Sequence, residues 1–247
     1  MANTLTEIYQ QYKDKFTRTG INPDLALELT WITEPVTNQP YKARISLYIS
    51  VRAINQNSTL AENAVNEMID IPVLITQEGI QETVYNDFYI GKNASVTIIA
   101  GCGIHSEYEA DAEHDGIHRF FIEEGAEVKY MEKHYAEGEG RGKKTINPVT
   151  EIHMGPNSSM EIETSQIKGI DDAVRTSKCE LDYGAKLIIN EKIMTHNNQK
   201  AKTVFEVKLN GRNSSAKVSS RAVAIDKSKQ VFISDITGND ECFGHVE

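Results

Sequence analysis

The stretch NASVTI at residues 93–98 decides the fold, because it returns as GAEVKY at 125–130, NSSMEI at 157–162, GAKLII at 184–189 and NSSAKV at 213–218. Each copy opens with Asn or Gly, continues with a small residue and any residue, and then carries two apolar residues two positions apart. Asn and Gly enter the left-handed backbone region more readily than other residues. Every copy therefore reads as a tight corner followed by a strand with one face turned inward. The copies begin 32, 32, 27 and 29 residues apart. Most are preceded by another alternating strand: HRFFIEEG, VTEIHMG, SKCELDYG and KTVFEVKLNG. A near-constant period with a strand on each side of a fixed corner is what a stacked solenoid requires, since one coil cannot bury its own apolar face and must lie on the next. The expected fold is mainly β, a parallel β-helix over residues 86–247. An antiparallel meander of hairpins is the competing architecture, because each strand-corner-strand unit would also suit a hairpin.

Residues 1–85 read as a separate N-terminal α/β region. NTLTEIYQQYKDKF places Leu5, Ile8, Tyr9, Tyr12 and Phe16 on one helical face behind a Thr4–Glu7 capping box, which predicts a helix at about 5–17. Leu25, Leu27, Leu29 and Trp31 have strand spacing, as do Ile45, Leu47, Ile49 and Val51. Residues 59–69, TLAENAVNEMI, open with Thr59 and Glu62 in capping-box register and suggest a short helix, which Asn63, Val65 and Asn66 weaken.

The 247-residue chain carries a formal charge of −10, so it has no basic excess with which to displace counterions from nucleic-acid phosphates. No run approaches the roughly 20 apolar residues of a membrane span, and the first residues lack the order of a signal peptide. The expectation is a cytoplasmic protein that contacts neither nucleic acid nor membrane. Cys102, Cys179 and Cys242 are too few and too scattered for a disulfide framework or a C-x-x-C zinc site. Reduced thiols are expected.

Candidate chemistry concentrates in GCGIHSEYEADAEHDGIHRF, residues 101–120. His114 and His118 would share one face of an extended segment and could meet a metal; the plain alternative is a solvated acidic loop. Cys102, between Gly101 and Gly103 where the backbone could turn sharply, is either a structural thiol at a strand end or a reactive one. Reactivity would require a cationic histidine or Arg119 nearby to hold the thiolate. Cys242 and His245, in DECFGHVE, amount to half a metal site at most. The glycine-rich AEGEGRGKKT at 136–145 lacks the spacing of a phosphate-binding loop and reads as a flexible connection. No nucleophile-and-base motif stands out, and no repeated Asp or Arg constellation supports a polysaccharide hydrolase.

The phrases IIAGCGIH, HDGIHRFFIEEGAEVKYMEKHYAEGEG, NPVTEIHMGPNSSMEIETSQIKG and NDECFGHVE, in that order over roughly residues 85–247, resemble the SufB/SufD family of iron–sulfur cluster assembly scaffolds. The resemblance implies a right-handed parallel β-helix and a non-enzymatic role. It also implies partnership with a SufC-like ABC ATPase, with a sulfur-donor protein that supplies persulfide sulfur, and with a SufB/SufD-like paralogue or a second copy of the chain. By the same likeness Gly101-Cys102 followed by Ile117-His118 makes Cys102 the candidate sulfur acceptor. His118, Cys242 and His245 are then candidate metal- or cluster-proximal residues, and any iron–sulfur cluster is transient. The family continues past GHVE with a cysteine-bearing strand, interface residues and ATPase-binding helices, so a short-form member is expected, without ligands carried over from that region. An open last coil exposes unpaired strand edges, which predicts a homodimer through the coils around 203–247. The rival expectation is an interaction module on the same solenoid without cluster chemistry.

Overall fold

The computed structural model describes residues 25–32, 42–51, 65–76, 79–239 and 241–247. In chain order its strands are β1 (Leu25–Ile32), β2 (Lys42–Val51), β3 (Val65–Ile75), β4 (Gln81–Ile90), β5 (Ser95–His105), β6 (Ala112–Ile122), β7 (Glu127–Glu137) and β8 (Lys144–Ile146). These are followed by β9 (Val149–Met154), β10 (Ser159–Lys168), β11 (Asp172–Leu181), β12 (Lys186–Thr195), β13 (Lys200–Leu209), β14 (Ser215–Ala224), β15 (Lys229–Gly238) and β16 (Phe243–Val246). The chain alternates between two sheets. One runs β1-β2-β4-β6-β8-β11-β13-β15, with β9 continuing the line of β8 between β6 and β11; the other runs β3-β5-β7-β10-β12-β14-β16. Apart from the antiparallel β1–β2 pair, neighbours are parallel along both sheets. The fold is therefore the expected parallel β-solenoid, and the hairpin alternative falls. Among the described residues no helix is long and apolar enough to cross a membrane.

The five corners stack as their spacing predicted. Asn93, Gly125, Asn157, Gly184 and Asn213 all have positive φ, between 56° and 69°. Each corner amide donates to a carbonyl of the next coil: Asn93 to Glu124, Gly125 to Pro156, Asn157 to Tyr183, Gly184 to Arg212 and Asn213 to Glu241. Beyond each corner the strand buries alternate residues, and these fill the space between the sheets. The apolar filling comes in two parts. A large cluster next to the corner column includes Phe88, Ile98, Phe120, Tyr130, Ile152, Leu187 and Phe205. A smaller one near the far ends of β5 and β7 holds Ile75, Ile104, Ala112, Ala136, Ile146, Ile170 and Ala173.

Two local expectations are corrected. Residues 65–69 begin β3 and pair in parallel with β5, Met68 opposite Thr97 and Ile69 opposite Ile98. A weak helical propensity there yields to a ladder that satisfies the backbone of both strands. The glycine-rich segment is not a loose connection: it runs alongside residues 106–112, with Gly140 N donating to Ser106 O, Gly142 N to Tyr108 O and Ala112 N to Lys143 O. A Cβ on Gly138, Gly140 or Gly142 would strike the backbone of Ser106, Tyr108 or Ala110, so the alternating glycines are what allow the two segments to touch. The predicted helix at 5–17, and residues 59–64, lie outside the described residues.

Candidate functional site

Between the two apolar clusters lies a layer of buried polar side chains, and the coil register explains why they meet. On one sheet Ala100 pairs with Glu132, Glu132 with Thr164, Thr164 with Glu191 and Glu191 with Ser220. One pleat further along, Cys102 pairs with His134 and His134 with Gln166. On the other sheet Glu82 pairs with His114, while Asn86, His118, Thr150 and Ser177 form another register column. In a parallel stack, polar residues that recur at the coil period are placed directly over one another.

Cys102 sits mid-strand in β5, pointing inward and only 2% exposed. The sharp turn expected at Gly101 and Gly103 does not form. Gly103 is overlain by the Tyr135 ring, which occupies the place a Cβ would take, whereas a Cβ at Gly101 would meet nothing. His114 and His134 both lie beside the Cys102 thiol and act on it by charge and as hydrogen-bonding groups. Burial alone would push its pKa up, but the two imidazoles outweigh burial and bring it down to about 6. Cys179, buried among apolar side chains with no such partner, is pushed up to about 12. The same folding event thus makes one thiol anionic at neutral pH and leaves the other inert.

His114 is 2% exposed, and its Nδ1 lies 3.1 Å from Glu82 Oε2. A carboxylate only accepts, so Nδ1 carries a proton and Nε2 remains for the sulfur. Burial opposes a charged ring, but Cys102 and then Glu82 reverse that and hold the His114 pKa up at about 10. Arg119, the other cation considered from sequence, faces outward instead and donates two hydrogen bonds to Asp87.

His134 Nδ1 lies 2.9 Å from Arg175 Nη2. Guninidium nitrogens only donate, so this ring nitrogen accepts, and the proton resides on Nε2, 3.4 Å from Glu132 Oε1. Glu132, 1% exposed, also accepts from Tyr130 Oη at 3.1 Å and from Arg175 Nη1. Burial would raise its pKa, but His134 and Arg175 hold it well below the usual carboxylate range. Tyr130 is shifted well above the ordinary phenol value by burial and then by Glu132, and stays a donor. Arg175 Nε reaches towards Glu191 at 3.6 Å, and Glu191 accepts from Thr203 Oγ1 at 2.9 Å and Ser220 Oγ at 2.6 Å. A continuous polar interior therefore leads from Cys102 through His134, Glu132, Arg175 and Glu191 to Ser220. His118 faces the middle of it. Its Nδ1 is 3.0 Å from Asn86 Nδ2, and its Nε2 is 3.4 Å from Glu132 Oε1 but too poorly aligned for a full hydrogen bond. Asn86 Oδ1 and Thr164 Oγ1, in the same layer, also have no hydrogen-bond partner.

The residues singled out in the sequence are thus distributed unevenly. His114 and His118 share the inner face of β6 as their spacing indicated, yet it is His114, not the Ile117-His118 pair, that touches Cys102. Glu107 and Asp111 belong to a surface segment and accept the backbone amides of Glu139 and Lys143. Cys242 is half-buried against the large apolar cluster, and His245 lies exposed on β16 beside Glu247, so neither joins Cys102. Glu82, Glu132, His134, Arg175 and Glu191 were not found from sequence. Their signal was present: His134 follows Cys102, and His114 follows Glu82, by 32 residues, the interval that separates the first corners. Among the described residues no group of three or more His, Cys, Asp or Glu side chains is set to hold a metal ion.

Comparison with known proteins gives a family match over most of the solenoid. Residues 86–242 match the family described as the SUF system FeS cluster assembly SufBD core domain. An iron–sulfur cluster assembly SufBD family protein homologue from Methanothermobacter thermautotrophicus strain Winter is 26% identical over 186 residues, covering 70% of this chain and 43% of the relative. A SufBD family protein from the Delta H strain of the same organism matches with the same identity and coverage. The chain spans less than half the length of these curated relatives.

Proposed function

The chain belongs to the SufB/SufD family of iron–sulfur cluster assembly proteins, and from that premise we propose that it is a non-enzymatic scaffold whose Cys102 accepts sulfane sulfur. Iron, sulfur and the nascent cluster are cargo in this reading, and any cluster is held transiently. The partners are a persulfide-bearing donor protein, a SufC-like ABC ATPase, and a SufB/SufD-like paralogue or second copy of the chain. The observation that carries the reading is the Cys102 thiol, enclosed in the solenoid between His114 and His134. Its electrostatics favour a nucleophilic thiolate, which is the form that attacks a persulfide.

In the step we propose, the Cys102 thiolate attacks the terminal sulfur of the donor persulfide R–S–SH. The donor S–S bond breaks, a new S–S bond forms on Cys102, and the donor leaves as the thiolate R–S⁻. The product is Cys102–S–SH, with no net change in oxidation. The polar interior beyond His134 offers donors and acceptors along which a sulfur species could be passed, and the unpartnered polar atoms of Asn86, His118 and Thr164 are consistent with a polar occupant there.

The test is to incubate the protein anaerobically with a low-molecular-weight persulfide and locate added sulfur by mass spectrometry. Sulfur on Cys102, lost in Cys102→Ser and retained in Cys179→Ser, is expected. Reconstitution with iron and sulfide, read by visible absorption with and without Cys102→Ser, then asks whether the acceptor thiol contributes to cluster formation. If Cys102 takes no sulfur and the substitution changes no absorption, the solenoid is an interaction module without cluster chemistry.

A further inference from the structure

Resting on the sulfur-acceptor reading, we infer that Glu82 is a positioning residue for Cys102, orienting the His114 ring and linking it to solvent as a proton route. Three strands contribute one member each: Glu82 from β4, His114 from β6 and Cys102 from β5. The Glu82 carboxylate accepts from His114 Nδ1 at 3.1 Å, which fixes the ring plane and its tautomer. This leaves Nε2 free for the sulfur, the same logic by which a carboxylate orients the base of a nucleophile-base-acid triad. His114 and Cys102 are each 2% exposed, so neither exchanges protons with solvent directly. The Glu82 side chain is 16% exposed and is the member of the three that reaches the surface.

The chemistry of transfer gives this placement a use. Before attack the thiol proton must leave the sulfur while remaining available, and His114 holds it as an imidazolium next to the developing charge. When the donor departs as a thiolate and the persulfide on Cys102 ionises, protons have to be taken up and released again. Glu82 supplies a carboxylate at the interface between the buried ring and water through which this occurs. The other groups facing the pair are His134 from β7 with Arg175 from β11 behind it, Glu132 from β7, and Asp115 and His118 on β6 itself. Asp115 is held above its ordinary value by burial, and His134 is engaged by Arg175 on Nδ1. The carboxylate that hydrogen-bonds His114 is that of Glu82, while Asp115 Oδ1 has no hydrogen-bond partner.

The experiment follows thiolate ultraviolet absorbance against pH in the full chain, with Cys102→Ser as the blank, for wild type, Glu82→Gln and Glu82→Asp. It is paired with the initial rate of sulfur loading on Cys102 from a low-molecular-weight persulfide across the same pH range. We expect the inflection near pH 6 in wild type to rise by about one unit in Glu82→Gln and to return towards the wild-type position in Glu82→Asp. Loading by Glu82→Gln is expected to fall several-fold at the wild-type inflection and to match wild type well above it. A pure packing role for Glu82 would lower loading equally at every pH. An unchanged inflection and rate profile in Glu82→Gln overturns the proposal. A second measurement needs no variant: the His114 imidazole resonances should report a doubly protonated ring at neutral pH, and a singly protonated ring overturns it too. The two readings separate cleanly. A thiolate that shifts with Glu82 but takes up no sulfur upholds the positioning role and removes the sulfur-acceptor function, whereas loading insensitive to Glu82 does the reverse.

Discussion

At the scale of single residues, the interior of this solenoid carries charge, and one buried cation serves two buried carboxylates. Arg175 is 4% exposed and lies between two buried carboxylates, Glu132 and Glu191. Replacing it with Met leaves both carboxylates without their cation, and a broken buried pair costs about 3–5 kcal/mol. We therefore expect Arg175→Met to lower the urea midpoint far more than an exposed substitution such as Lys208→Met, whose partner Glu180 is itself half in water. The two buried thiols give a second expectation. As pH falls through about 6, Cys102 gains a proton and loses its nucleophilicity, whereas Cys179 stays a thiol until pH reaches about 12. A pH series of thiolate absorbance on the folded protein should therefore show one transition near 6 that disappears in Cys102→Ser.

At the scale of the element, the corner column is the repeated device. It alternates Asn, Gly, Asn, Gly, Asn, and the alternation is steric as well as conformational: a Cβ on Gly125 would collide with the Asn93 side-chain oxygen, and one on Gly184 with that of Asn157. Gly125→Ala should cost about 1–2 kcal/mol for the left-handed backbone alone, with the collision adding to it. Adding Asn93→Gly should recover only the collision part, which a double-mutant cycle by urea denaturation would separate. Gly169→Ala is expected to be worse, since at φ +79° its Cβ would enter the Ala136 backbone carbonyl and no side chain can move aside. The glycine-rich 138–142 segment obeys the same constraint, and for that reason it is ordered where composition alone suggested a loose link.

At the scale of the whole molecule, the last coil leaves inward-facing apolar side chains uncovered. In the described residues β15 and β16 are the last strands of their sheets. There Phe232 and Val246 are 40% and 44% exposed, while Thr203 and Val218, the inward residues they pair with one coil earlier, are 2% and 0% exposed. Under the proposed pairing with a second copy, light scattering at micromolar concentration should give the mass of a dimer, and Phe232→Lys combined with Val246→Glu should give that of a monomer. A wild-type chain that remains monomeric removes the homodimer and favours a different partner on this end.

The sequence by itself determined the period, the left-handed corners and the alternation of the strands, because these are local: an Asn or Gly that can adopt positive φ, and a side chain every second residue that faces inward, are visible without knowing what lies opposite. It also carried Cys102, as one distinctive Gly-Cys phrase. Only the tertiary structure decided what surrounds that sulfur. Glu82, His114 and His134 lie on three strands that are far apart along the chain, and they meet because parallel stacking lays residues one coil apart against each other. His118 was favoured from sequence because it sits in the motif, but His114 occupies the pleat that faces Cys102. The charge on the thiol follows from that packing, since burial raises a thiol pKa unless a specific cation is placed against it.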